Sequence, residues 1–149
     1  MLSHGILYSY IMSFLGTPYI WAGDDPIRGF DCSGFAVEIL QAAGAIPHRT
    51  DFSSQGLYNL FKHQQVVGKL EPQFLDLVFY GKGSEKVSHV AIFLGDDKIV
   101  EASGGGRGTT DEEIAALQNA FIRVRPWHYR SDVVGFYRPI MDFMSKPSS

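Results

Sequence analysis

Two hydrophobic periods alternate along the chain and divide it into elements. In "MLSHGILYSYIMSFLG" the apolar residues Ile6, Leu7, Tyr10, Ile11, Phe14 and Leu15 recur at i, i+1, i+4, i+5, i+8 and i+9, and Gly16 follows. This spacing predicts an amphipathic helix that stops at the glycine. The next stretch, "GTPYIWAGDDPIRGFD" from Gly16 to Asp31, is rich in glycine and proline and predicts an ordered loop. The helical period resumes at Asp31, a good N-cap. Phe35, Ala36, Ile39, Leu40 and Ala43 form one apolar face, with Gly44 at the C′ position. "SSQGLYNLFKH", Ser53 to His63, predicts a second short helix with a serine start. From Leu75 the pattern changes to that of strands. "LDLVFY" predicts a buried strand, and "SHVAIFLGDDKIVEAS" a hairpin that turns at Gly95-Asp96-Asp97. "TTDEEIAAL" carries a capping-box pattern, Thr110 with Glu113, and "FIRVRP" and "VVGFYRP" predict two closing strands. Helices come first and strands mostly after them. The expected class is α+β, with helices packed on one face of an antiparallel sheet.

Composition narrows the class without naming a function. A chain of 149 residues suits one domain, taken as residues 1–144, and "SKPSS" at 145–149 reads as a frayed tail. Hydrophobic residues make up 45%, charged residues 19%, and the net charge is −3. No run of Lys or Arg forms a basic stripe, which argues against a nucleic-acid partner. The first 27 residues contain no Lys or Arg, so the apolar start lacks the basic region of a signal peptide. It is also too short for a membrane anchor. Neither a CxxC nor a Cys/His cluster points to zinc, and no metal or cofactor is expected.

The single cysteine carries the chemistry. Cys32 stands in "FDCSGF" at the first turn of the helix that Asp31 caps, on the same face as Phe35, Ala36, Ile39 and Leu40. A thiol there points toward the sheet from a helix N-terminus, where the dipole and unpaired N–H groups favour thiolate. Position alone leaves two readings open, an activated thiol or a small buried hydrophobe. A nucleophilic thiol needs a base and a group that orients it. His4, His48, His63 and His128 sit among polar or loop residues. His89 instead stands at the head of the apolar "HVAIFLG", where an imidazole is out of place unless it has a task. If the turn is Gly95 to Asp97, Leu94 faces Lys98 and Ala91 faces Glu101. Glu101 then shares a face with His89 as a diagonal neighbour, about 7–8 Å away. A two-residue turn flips Glu101 to the other face.

These residues resemble the NlpC family of papain-like cell-wall cysteine peptidases. The resemblance runs from about Leu2 to Pro139 and rests on four motifs in order: "GTPYIWAG", "FDCSGF", "LDLVFY" and "SHVAIFLGDDKIVEAS". It implies a papain-like core with Cys32 as nucleophile, His89 as base and Tyr19 as the active-site tyrosine. Asp31 and Ser33 flank the thiol as they do in the family. The third position, commonly His, Asn or Gln, falls here on Glu101. A carboxylate can orient an imidazole, or can face solvent and leave the triad incomplete. Leu75-Asp76 stands where the family usually has Gly-Asp, a departure read as structural.

The resemblance implies hydrolysis of an amide in a peptidoglycan stem peptide, typically between D-glutamate and a diamino acid. Stem peptides carry free carboxylates, so Arg28 and Arg107, in glycine-rich loops, are candidate clamps. Cell-wall-binding repeats are not read in the chain, which suggests a module of a phage tail or similar delivered assembly. Two rivals remain. One is a non-catalytic binding module. The other is a thiol acyltransferase on a related fold, disfavoured because its His precedes its Cys in the chain.

Overall fold

The computed structural model describes residues 3–25, 28–68 and 70–140. The chain runs α1 (His4–Met12), β1 (Asp24–Asp25), β2 (Gly29–Phe30), α2 (Cys32–Ala43), α3 (Ser54–Phe61), β3 (Leu77–Gly81), β4 (Val87–Gly95), β5 (Lys98–Ser103), α4 (Glu112–Leu117), β6 (Phe121–Pro126), a 3-10 turn (Trp127–Tyr129) and β7 (Val133–Tyr137). Five strands make one antiparallel sheet in the order β6-β5-β4-β3-β7. The fold is mixed helix and antiparallel sheet, as expected. The tail at 145–149 lies outside the described residues.

Helix α2 is the centre of the molecule. Asp31 caps it through the Gly34 N–H (2.7 Å), and Gly44 closes it at φ 82°. Phe35, Ala36, Val37, Ile39, Leu40 and Ala43 are all buried, a wider stripe than the one read from sequence. Each large apolar side chain so buried contributes about 1.5–3 kcal/mol. The main core lies between the helices and one sheet face. A smaller cluster of Val78, Tyr80, Ala91, Phe93 and Ile99 covers the other face.

Several boundaries differ from the sequence reading, each for a local reason. Helix α1 ends at Met12, and tight turns carry the chain from Ser13 to Gly16, which adopts φ 85°. Leu7, Ile11 and Phe14 are buried and Tyr10 packs on the core partly exposed, whereas Ile6 and Leu15 face solvent, so the buried stripe is narrower than predicted. The glycine-rich loop contains a short ribbon, β1 with β2. The cap of α4 is Asp111, which accepts from Ile114 N–H (2.9 Å), one residue later than the Thr110–Glu113 box. Strand β3 begins at Leu77. Leu75 sits at φ 80°, a conformation suited to glycine, and Asp76 is buried against Arg138.

The β4–β5 hairpin bears most on function. Its turn has two residues, Asp96 and Asp97, both at positive φ (51° and 59°), with Gly95 paired to Lys98. The register shifts between Phe93 and Gly95, so Phe93 pairs Ile99 and Ile92 pairs Val100. A two-residue turn alone would have flipped Glu101. The bulge inserts the compensating residue and returns Glu101 to the face of His89. A second irregularity, between Tyr80 and Gly81, breaks the alternation opposite Val87 and His89. Val87 therefore joins the main core, while His89 lies beside Tyr80, ring centroids 5.5 Å apart.

Candidate active site

Cys32 is the first residue of α2, where first-turn N–H groups have no partner inside the helix. The backbone is packed tightly around it. A Cβ at Gly34 would lie 2.0 Å from the Gly23 carbonyl oxygen, so only glycine fits between the helix and the loop that precedes it. The thiol is partly exposed, with Sγ 3.4 Å from Ser54 Oγ at the start of α3. Burial pushes the thiol pKa up. The hydrogen bond and charge of His89, with the bond to Ser54, outweigh it and hold Cys32 below the ordinary thiol value.

His89 is buried, and its Nε2 lies 2.7 Å from Glu101 Oε1. With Nε2 occupied, Nδ1 is the ring nitrogen left for Cys32. Burial alone would lower the imidazole pKa. The hydrogen bonds to Cys32 and Glu101, and the negative charge of both, push it up to about 9. Glu101 has no exposed surface, yet its carboxyl stays below the usual range, because the bond and charge of His89, the bond from Tyr129 and the charge of Arg125 outweigh the effect of burial. Oε1 also accepts from the Tyr129 hydroxyl (2.9 Å). Oε2 is 2.9 Å from Arg125 Nε, an ion pair by distance although too bent for a hydrogen bond. Arg125 stacks over the Tyr129 ring at 4.0 Å and donates to Ser103 Oγ at 2.8 Å. The arrangement can hold a thiolate–imidazolium pair with an ionised carboxylate behind it.

Two pockets meet at Tyr19 and Cys32. One, of about 410 Å³, is lined on its polar side by Asp24, Asp31, Asp51 and Ser53 and on its apolar side by Trp21 and Phe52. The other, of about 370 Å³, contains His89, Ser103, Gly105, Arg125, Tyr129 and Arg130. Tyr19 is buried, and burial, with the negative charges of Cys32 and Asp31, raises its pKa. A side chain at Gly105 would meet the Tyr19 ring at 2.3 Å, so the glycine loop closes against that ring.

The sequence-derived candidates are distributed as follows. Tyr19, Asp31 and Ser33 line the first pocket, with the Asp31 carboxylate engaged by Gly34 N–H. Arg28 is exposed and shares its grooves with Asp25, Asp111, Glu112 and Glu113; one of them adjoins the first Cys32 pocket through Trp21 to Asp24, but Arg28 lines neither pocket that contains Cys32. Arg107 is exposed and stands over the Trp21 ring, 5.8 Å from its centroid. The basic side chains beside the thiol are Arg125 and Arg130 instead. Sequence reasoning missed these two, with Tyr129 and Ser54. Arg125 had a findable signal: Glu101 pairs with Arg123 and Ile99 with Arg125, so Arg125 is diagonal to Glu101 once the register is known. Among the described residues, no group of three or more His, Cys, Asp or Glu is placed to hold a metal ion.

Comparisons with known proteins agree with this fold. A family profile described as the NlpC/P60 family matches residues 16–129. A Bacillus cereus protein named gamma-D-glutamyl-L-lysine dipeptidyl-peptidase is 39% identical over 94 residues, which cover 60% of this chain and 25% of that relative. The chain thus spans about a quarter of that relative's length. Other relatives are named peptidoglycan endopeptidases. The crystal structure of an NlpC/P60 family protein from Bacillus cereus superposes with a TM-score of 0.65 at 26% identity, covering 93% of this chain and 40% of that one. RipD of Mycobacterium tuberculosis, described as a non-catalytic NlpC/p60 domain protein adapted to peptidoglycan binding, superposes at 0.64 with 21% identity, covering 91% and 95%.

Proposed function

The chain belongs to the NlpC/P60 family, and we propose that it is a cysteine peptidase that hydrolyses an amide bond in peptidoglycan stem peptides, the bond between γ-D-glutamate and a diamino acid. The carrying observation is that Cys32 and His89 line one pocket, with Nε2 of His89 2.7 Å from the buried Glu101 carboxylate. The name of the Bacillus cereus relative supports the bond chosen.

In the proposed reaction the Cys32 thiolate attacks the amide carbonyl carbon. The oxyanion is held by backbone N–H groups at the start of α2 and by the Tyr19 hydroxyl. As the C–N bond breaks, His89 gives its proton to the departing amine, leaving a thioester on Sγ. His89, now neutral, takes a proton from water. The hydroxide equivalent attacks the thioester, and the acid is released with the thiolate restored. Glu101 holds the ring in one tautomer and stabilises its charged form, while Tyr129 and Arg125 hold Glu101.

A non-catalytic binding role is the second reading, since the family contains a member so described. A thiol held below its ordinary pKa beside a buried, carboxylate-backed histidine supports the enzyme instead. Delivery by a phage tail or similar assembly rests on the sequence alone. The test is incubation with purified peptidoglycan of several chemotypes and mass spectrometry of the soluble products. The enzyme reading expects stem-peptide fragments from the wild type and none from Cys32→Ala. Fragments at equal rates from both proteins would refute the thiol mechanism.

A further inference from the structure

The proton path decides which pocket receives which half of the substrate. The departing amine takes its proton from His89, so the leaving residue must occupy the pocket that contains His89. That is the pocket of about 370 Å³ with Arg125, Tyr129 and Arg130. The acyl half then lies in the pocket of about 410 Å³ with Asp24, Asp31 and Asp51. The charge division is complete among the lining residues: the acyl side carries carboxylates and no Lys or Arg, and the leaving side carries two arginines and no carboxylate.

The two arginines are not equivalent. Arg125 is turned inward, against Glu101 Oε2 at 2.9 Å and Ser103 Oγ at 2.8 Å, and serves the histidine. Arg130 has no contact with His89 or Glu101. Its Nε and Nη2 donate to the two oxygens of Asp132 at 2.8 and 2.6 Å, and its guanidinium lies 5.1 Å from the Tyr80 ring centroid. Asp132 is the more exposed partner, at 37% against 32% for the Arg130 side chain. It fixes one edge of the guanidinium fork. A guanidinium has five N–H donors, so the opposite edge retains donors for a second carboxylate.

Building on the hydrolase reading above, we propose that Arg130 forms a subsite for a free carboxylate on the leaving residue. The site then discriminates between leaving residues whose carboxyl is free and those in which it is blocked as an amide. Two sources share this chemistry, the α-carboxylate of a terminal diamino acid and the side-chain carboxylate of a diamino dicarboxylic acid. A partly exposed charge-assisted pair of this kind supports a preference of about five- to tenfold.

Binding to Cys32→Ala by titration calorimetry tests the subsite without turnover. The probes are L-Ala-γ-D-Glu-L-Lys with a free C-terminal carboxylate, the same peptide as a C-terminal amide, and a third with a diamino dicarboxylic acid in place of Lys and its α-carboxyl amidated. At least one carboxylate-bearing probe should bind about five- to tenfold more tightly than the Lys amide. Which one does so identifies the source. Adding Arg130→Gln should cut the preference to twofold or less, with affinity for the carboxylate-bearing probe falling more than affinity for the amide, and Arg130→Lys should keep part of it. Equal affinity for all three probes, or a preference that survives Arg130→Gln, overturns the subsite. Turnover by the wild type separates the two claims. Hydrolysis without discrimination would remove the subsite and leave the peptidase. Discriminating binding without hydrolysis of any probe would leave the subsite and remove the peptidase.

Discussion

Replacing Glu101 by Gln removes one charge from a fully buried site and little volume. In the wild type the carboxylate accepts from His89 and Tyr129 and faces Arg125 at 2.9 Å. The amide oxygen can still accept from the imidazole. Two things are lost, the negative charge opposite the imidazolium and the ion pair to Arg125. A hydrogen bond to a charged group contributes about 1.5–3 kcal/mol, so Gln should reduce kcat/KM by about 10- to 100-fold. The pH profile should change with it. The reactive pair exists between the acid limb, set by the lowered Cys32, and the alkaline limb, set by His89 near 9. These are the two titrations of one coupled pair. With Gln, the alkaline limb should move down toward the ordinary histidine value, because the negative charge and charged acceptor that hold the imidazolium are gone. Glu101→Ala should be worse, because the ring loses its anchor as well; both variants leave Arg125 without its counter-charge, and breaking such a pair costs about 3–5 kcal/mol when fully buried, and less here. The assay is kcat/KM against pH on a stem peptide, with melting temperature as control. A Gln variant that is fully folded, with unchanged rate and limbs, would refute the role assigned to Glu101.

Other substitutions probe separate parts of the account. Tyr19→Phe keeps the ring against Gly105 and removes only the hydroxyl; kcat should fall by about 100- to 1000-fold with no loss of melting temperature, and an unchanged kcat would exclude the hydroxyl from the oxyanion site. Asp31→Ala removes the cap of α2 and should lower stability by about 1 kcal/mol in urea titration. Leu75→Gly relieves a left-handed leucine, worth about 1 kcal/mol, but forfeits a buried side chain worth about 1.5–3 kcal/mol. The net effect should be destabilising, and a more stable variant would show that strain dominates at this position.

The parts of this fold legible in the sequence are those set by local rules. The Asp31 cap, the Gly44 stop and the serine start of α3 each depend on a few adjacent residues, and all three occur where read. The hairpin shows the limit. The expected three-residue turn is a two-residue turn plus a bulge, and His89 meets Glu101 because the two irregularities cancel. Glycine at 95 allows either arrangement, so the choice lies in packing beyond the turn. The residues that support Glu101 were hidden for another reason. Arg125 and Tyr129 come from β6 and the turn after it, and their contacts to Glu101 require a β5–β6 register that no short motif encodes. Ser54 approaches Cys32 from a separate helix, a tertiary contact with no sequence spacing to reveal it. Arg28 lies on a glycine-rich loop near the thiol in sequence, and that loop places it in a groove whose lining does not include Cys32.

The most direct test of the central claim is the rate at which Cys32 is alkylated by iodoacetamide at pH 6. A thiol held below its ordinary pKa by His89 is more ionised there than free cysteine, which, with a pKa of about 8.5, is almost wholly protonated. Cys32 should react at least tenfold faster than free cysteine, and His89→Ala should abolish most of that advantage in a protein of unchanged fold. A wild-type rate equal to that of free cysteine, or a rate indifferent to His89→Ala, would contradict the thiolate–imidazolium pair on which the proposed peptidase rests.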